Sequence, residues 1–180
     1  LRARGKEPYP FQAKTAISCL NAIANRERLL VQAPTGTGKT LIAHLVVALL
    51  THDLPDRYPR MLVIVPTRAL LAQHAADAGW LRRFGLAIHM LGPDTPPPLF
   101  SHTLSSYGVV LTTPITLSNR LSAMGAEVLA RVDCAIFDEI DTYLTVEEHE
   151  ERRDIGPALD LCLQADLPTI GFTGTHLRST

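Results

Sequence analysis

Two short runs hold most of the side chains in this 180-residue chain that could do chemistry together. The first is Ala33-Pro34-Thr35-Gly36-Thr37-Gly38-Lys39-Thr40, set between the apolar runs Leu29-Leu30-Val31 and Leu41-Ile42-Ala43. Apolar run, glycine-rich stretch and apolar run read as strand, loop and helix. In such a loop, Gly36 and Gly38 let the backbone N–H groups of residues 35–38 close around phosphate oxygens. The start of the helix adds a favourable dipole. Lys39 brings a point charge to β- and γ-phosphates, and the Thr40 hydroxyl can reach Mg²⁺. The general pattern begins with Gly, whereas Ala33 holds that position here.

The second run is Asp138-Glu139-Ile140-Asp141, which closes the apolar stretch Val132-Asp133-Cys134-Ala135-Ile136-Phe137. That stretch reads as a buried parallel strand. A carboxylate at the C-terminal tip of such a strand, beside a phosphate loop, is placed to hold a nucleotide's metal. Asp138 is the Mg²⁺-side carboxylate in this reading, and Glu139 is the base that polarises an attacking water. Taken alone, the acidic cluster would also suit an ordinary helix start.

The elements that must position these groups alternate along the chain. Apolar residues at helical spacing (Phe11, Ala16, Cys19, Leu20, Ile23) predict a helix over 11–25. Strands are expected over 29–32, 60–65, 108–112 and 169–172, with a short β-like run over 86–91. Helices are expected over 40–50, 68–84, from Pro114 onward and over 155–165. Residues 93–98 are proline-rich and read as a surface loop. Repeated β-α-β alternation implies a mainly parallel sheet with helices on both faces and right-handed crossovers.

Composition fits one folded domain over 1–180, with no internal repeat. Hydrophobic residues make up 46% and charged residues 19%. The formal net charge of −1 excludes a strongly basic surface, so any nucleic-acid contact must come from local basic spots. No apolar run approaches the ~20 residues that span a bilayer, and the N-terminus lacks a signal-peptide pattern, so no membrane partner is expected. Cys19, Cys134 and Cys162 are widely spaced and odd in number, which suits packing residues in a reducing, cytoplasmic setting.

Taken together, these motifs resemble the first RecA-like domain of a superfamily 2 helicase of the DExD/H-box kind. The resemblance spans nearly the whole chain and keeps the family's motif order. Pro10-Phe11-Gln12 looks like the Q motif, in which Gln12 would hydrogen-bond an adenine edge. Residues 33–40 match motif I in the form that begins with Ala, Pro66-Thr67-Arg68-Ala69-Leu70 matches motif Ia, and Thr112-Thr113-Pro114 matches motif Ib. Asp138 to Asp141 is motif II, and Thr173-Gly174-Thr175 is similar to motif III. The resemblance implies a three-layer α/β/α P-loop NTPase fold, ATP and Mg²⁺ as ligands, and a nucleic-acid backbone held by Pro66, Thr67, Arg68, Thr112, Thr113 and Pro114. Helix-start N–H groups, hydroxyls and a guanidinium suit phosphate oxygens and carry little base information. Asp141, Thr173 and Thr175 would couple the two sites.

Departures from the strict DEAD-box pattern are equally legible. Motif II is Asp-Glu-Ile-Asp, motif Ia continues Arg68-Ala69-Leu70, and no Gly-Gly pair lies between motifs Ia and Ib. These favour the looser DExD/H group, which includes DNA motors. The acidic and basic run 147–153 reads as a solvated helix face. Nothing after motif III resembles motifs IV to VI, so the chain reads as one half of a motor, weakly active alone. A second RecA-like domain would complete the site with an arginine finger, worth ~10³–10⁵ in rate. Three classes stay open at this point: an ATP-dependent helicase, a duplex translocase or remodelling motor, and a nucleotide-gated nucleic-acid-binding module.

Overall fold

The computed structural model describes residues 7–53, 59–141 and 156–174. The apolar runs become six strands: β1 (Arg28–Gln32), β2 (Arg60–Ile64), β3 (Ile88–Leu91), β4 (Gly108–Thr112), β5 (Cys134–Phe137) and β6 (Thr169–Thr173). They pair into one sheet ordered β1-β6-β5-β2-β4-β3, and every neighbouring pair is parallel. Six helices are described: α1 (Pro10–Ala24), α2 (Lys39–Asp53), α3 (Arg68–Asp77), α4 (Pro97–Leu104), α5 (Pro114–Met124) and α6 (Gly156–Gln164).

Side chains alternate across a strand, so a strand covered on both faces must be apolar throughout. On β2, Met61 and Val63 enter one core with α1 and α2, while Leu62 and Ile64 enter the other with α4, α5 and α6. Strands β4, β5 and β6 are buried along their whole length. The result is the expected three-layer α/β/α arrangement with an all-parallel sheet. Its C-terminal strand tips share one edge, and the order reverses between β5 and β2.

Two elements differ from the sequence reading. The helix expected over 68–84 tightens after Asp77 into a 3-10 helix, Ala78–Phe84, and ends at Gly85 with φ of 77°. A left-handed closing residue of this kind favours glycine. The surface loop expected over 93–98 holds through Pro96, but its last two residues, Pro97 and Pro98, open α4. Proline lacks only the N–H that a first helical turn leaves unpaired, so it starts a helix as readily as it ends one. Phe100 and Leu104 then anchor α4 in the second core. Among the described residues, no helix is long and apolar enough to cross a membrane. The polar run 147–153 lies outside the described residues, as does Thr175.

Candidate nucleotide site and strand-tip crevice

The phosphate loop is tied down on both sides before any ligand arrives. Ala33 N donates to Thr173 O at 2.9 Å, which joins the loop to the tip of β6. The Thr37 hydroxyl donates to Pro34 O at 2.7 Å, closing the loop on itself. Gly36 and Gly38 both have φ of 83°, a region where a side chain would be strained. Gly38 is constrained twice, because a Cβ there would lie 2.7 Å from Gln12 Nε2. Gln12 is buried, with its Nε2 donating to Thr37 O at 2.8 Å and its Oε1 accepting from Tyr9 N at 2.9 Å. The glutamine expected to read an adenine edge therefore also braces the loop. Its second N–H and second lone pair remain chemically available.

Lys39 is the first residue of α2 and only 8% exposed. Its Nζ lies 3.3 Å from Glu139 Oε1, yet it lacks the alignment of a hydrogen bond with any described partner. A Cβ added at Gly174 would stand 3.0 Å from that Nζ and 3.2 Å from Thr35 Oγ1. The ammonium thus points into a small cradle walled by the loop, by Gly174 and by Glu139. A buried cation without aligned acceptors is poorly satisfied, and an anion set in the cradle would satisfy it.

Opposite stands the turn that follows β5. Asp138 N donates to Ile64 O at 2.9 Å and Ile140 N to Phe172 O at 2.7 Å, so the turn is stitched to β2 on one side and β6 on the other. Between these two bonds Glu139 takes φ of 53°. A non-glycine residue held there costs ~1–3 kcal/mol, and such strain gathers at functional sites. Ile140 lies directly on Gly171, where a Cβ would come within 2.4 Å of its Cδ1. Asp138 is 9% exposed, and its Oδ2 sits 3.0 Å from Nε2 of His74 on α3. Sequence reasoning missed His74. The available signal was its place among Leu70, Leu71 and Ala75 on the inward stripe of that helix.

Among the described residues, no three metal-ligating side chains cluster. Mg²⁺ keeps waters and phosphate oxygens and takes only one or two protein ligands. Thr40 and Asp138 fit that demand from opposite sides of the crevice.

The other half of the edge is open. A pocket of ≈ 480 Å³ is lined by Pro66, Thr67, Arg68, Pro93, Thr113, Ile115, Thr116, Asn119 and Arg120. Thr67 caps α3 by accepting from Leu70 N at 3.3 Å, and Arg68 beside it is exposed. The Thr113 and Thr116 hydroxyls bond each other at 2.9 Å beneath the pocket floor. Pro114 forms the first turn of α5 and is buried. Thr112 lies deeper still: it is fully buried and donates to Leu91 O at 3.0 Å. The structure therefore brings Pro66, Thr67, Arg68 and Thr113 together at one surface, and it sets Thr112 and Pro114 behind them. Pro93, Asn119 and Arg120 join that surface without having been expected there. Arg120 is held by a hydrogen bond to Pro93 O. Thr173 is fully buried at the end of β6, and Asp141 follows the turn after β5.

All three free cysteines are buried. Burial pushes the Cys19 and Cys162 thiols up to about 12. Cys134 is raised as well, by burial first and then by neighbouring thiols and Asp133.

A glycine-rich loop at one strand tip, an acidic turn two strands away and an all-parallel three-layer sheet define a RecA-like P-loop domain. The chain belongs to the DEAD/DEAH box helicase family, whose family model matches residues 9–179. It is 30% identical over 141 residues to ATP-dependent DNA helicase Hel308 of Pyrococcus abyssi, covering 78% of this chain and 18% of that protein. It is 31% identical over 157 residues to ATP-dependent RNA helicase DeaD of Mycobacterium tuberculosis, covering 81% of this chain and 26% of the relative. The chain thus spans about a fifth to a quarter of those relatives. The Hef helicase domain of Pyrococcus furiosus matches with a TM-score of 0.67 at 26% identity, over 96% of this chain and 34% of that one. S. cerevisiae Dbp5, bound to RNA and ADP BeF3, matches the fold with a TM-score of 0.66 at 20% identity, over 95% and 41%. Hel308 and DeaD are named as ATP-dependent helicases, which are ATP hydrolases.

Proposed function

We propose that this chain is the ATP-binding half of an ATP-dependent nucleic-acid motor that unwinds DNA or RNA. The observation that carries the reading is Lys39, a buried ammonium with no aligned hydrogen-bond partner among the described residues, aimed into the cradle between the phosphate loop and Glu139. In this reading the backbone N–H groups of residues 35–38 and the Lys39 ammonium grip the β- and γ-phosphates, with Pro34 shaping the loop. Gln12 offers its remaining N–H to the adenine edge. Thr40 and Asp138 would hold Mg²⁺, which would supply positive charge to the phosphate oxygens.

Glu139 is paired with Lys39 at 3.3 Å and its side chain is 37% exposed. A γ-phosphate that takes over Lys39 leaves Glu139 with a weaker hold. Its carboxylate can then accept a proton from the water that attacks in line. Pro66, Thr67, Arg68 and Thr113 would hold a sugar–phosphate backbone, with Thr112 and Pro114 supporting that surface from behind. Such contacts suit both nucleic acids, and the named relatives include a DNA helicase and an RNA helicase. Asp141, Thr173 and Thr175 would couple the halves, and a second RecA-like domain would complete the nucleotide site. The three buried thiols support a reducing, cytoplasmic setting.

The test is an ATP titration by calorimetry of the intact protein and its Lys39→Ala variant. Loss of a charged hydrogen-bond donor predicts affinity lower by roughly 10–100-fold or more. Equal affinity would remove the reading's main support. A strand-displacement assay on the intact protein then separates unwinding from movement along an intact duplex.

A further inference from the structure

We propose that His74 is a positioning residue for the metal-side carboxylate, fixing Asp138 so that one oxygen is held and the other is offered to Mg²⁺. The inference rests on the reading that Asp138 faces the metal of a bound nucleotide. His74 Nε2 lies 3.0 Å from Asp138 Oδ2, and the histidine side chain is 5% exposed. The other oxygen, Oδ1, has no hydrogen bond to a described residue. The terminal torsion of an aspartate is broad and roughly two-fold, so a carboxylate on a strand tip does not orient itself. One N–H donor on one oxygen settles that torsion and turns the second oxygen toward the crevice.

The histidine is itself held in place. His44, four residues beyond Thr40 on α2, meets the His74 ring edge-on, with centroids 6.4 Å apart and planes at 86°. Trp80 also packs on His44, with ring centroids 6.4 Å apart. The ring is thus clamped from the same helix that begins with Lys39 and Thr40. Its other nitrogen, Nδ1, is buried without a hydrogen-bond partner among the described residues. A residue kept only to fill this space would not need that unpaired nitrogen, whereas a residue kept to hold Asp138 must accept it. Partners that orient a metal ligand from behind change metal affinity by about 10–100-fold when removed.

The experiment measures binding of a fluorescent ATP analogue to the intact protein across a Mg²⁺ series and in EDTA. His74→Leu keeps the volume and removes the donor, while His74→Gln keeps an N–H at comparable reach. For His74→Leu, the Mg²⁺ concentration at half-maximal tightening should rise about tenfold or more. Its affinity in EDTA should stay within about twofold of the parent, since metal-free binding does not use the carboxylate. His74→Gln should recover most of the shift. Placing His74→Leu on top of Asp138→Asn should move the midpoint no further than Asp138→Asn alone. An unmoved midpoint in a His74→Leu protein that melts like the parent overturns the inference, as does equal weakening with and without Mg²⁺. If His74→Leu does not fold, His74→Phe serves as the donor-free variant under the same criteria. A parent protein that binds no analogue at all, or binds it as well with Lys39→Ala, overturns the nucleotide reading itself. That outcome differs from a Mg²⁺-dependent parent with unaffected His74 variants.

Discussion

The two halves of the strand-tip edge are built to different standards. The half formed by β1, β6 and β5 is cross-stitched, Ala33 to Thr173, Ile140 to Phe172 and Gln12 to Thr37, and Asp138 ties it to Ile64 on β2. Its two central charges, Lys39 and Asp138, are less than a tenth exposed. The half formed by β2, β4 and β3 presents exposed Thr67 and Arg68 over an open pocket, with its buried threonines bonded to one another or to backbone. The first half holds its charged groups in a fixed, buried frame. The second is an open shelf, and in the proposed reading a polymer would slide across it. Chemistry requires fixed geometry, and movement along a polymer requires contacts that release.

The contrast can be broken most sharply at Glu139. In the intact protein, Glu139→Gln should lower ATP turnover by ~10²–10⁴ while ATP binding persists. Turnover at the parental rate in a coupled assay would remove Glu139 as the base, and the strain at that residue would need another explanation. A smaller effect is expected on the open side. Arg68→Ala should weaken single-strand binding by roughly tenfold and lower the salt slope by about one, with ATP affinity in the absence of nucleic acid unchanged. An equal loss of ATP affinity would show that the halves are not separable. The smallest expected effect is none: at neutral pH the native thiols should resist iodoacetamide, because burial keeps all three protonated. The sign extends to alkali. The folded thiols hold their protons above the ordinary value of 9.0, so stability should fall as pH climbs from there toward about 12. Rapid labelling of the folded protein, followed by mass spectrometry, would mean that the core opens.

What the sequence disclosed follows the same division. The phosphate loop and the acidic turn were legible because their chemistry is packed into eight and four consecutive residues, each flanked by apolar runs. Strand number and parallel topology followed from alternation alone. Contacts between segments far apart in the chain were not legible. His74 meets Asp138 only because β2 and β5 are neighbours and α3 leaves the tip of β2. Thr112 reads as a strand-end hydroxyl free for phosphate, until β3 pairs alongside and presents the Leu91 carbonyl to it. Pro97 and Pro98 read as a stop because proline's effect depends on which end of a helix it occupies.

The all-parallel sheet carries one more consequence. Strands that all point the same way deliver every following helix start to one rim, and α2, α3 and α5 begin there after β1, β2 and β4. Three positive dipole ends converge on that rim in a chain whose formal net charge is −1. The attraction these dipoles exert on an anion is local and directional, felt within about one helical turn of the rim. A polyanion meeting this rim finds three helix starts side by side, each offering N–H groups that the helix itself leaves unpaired.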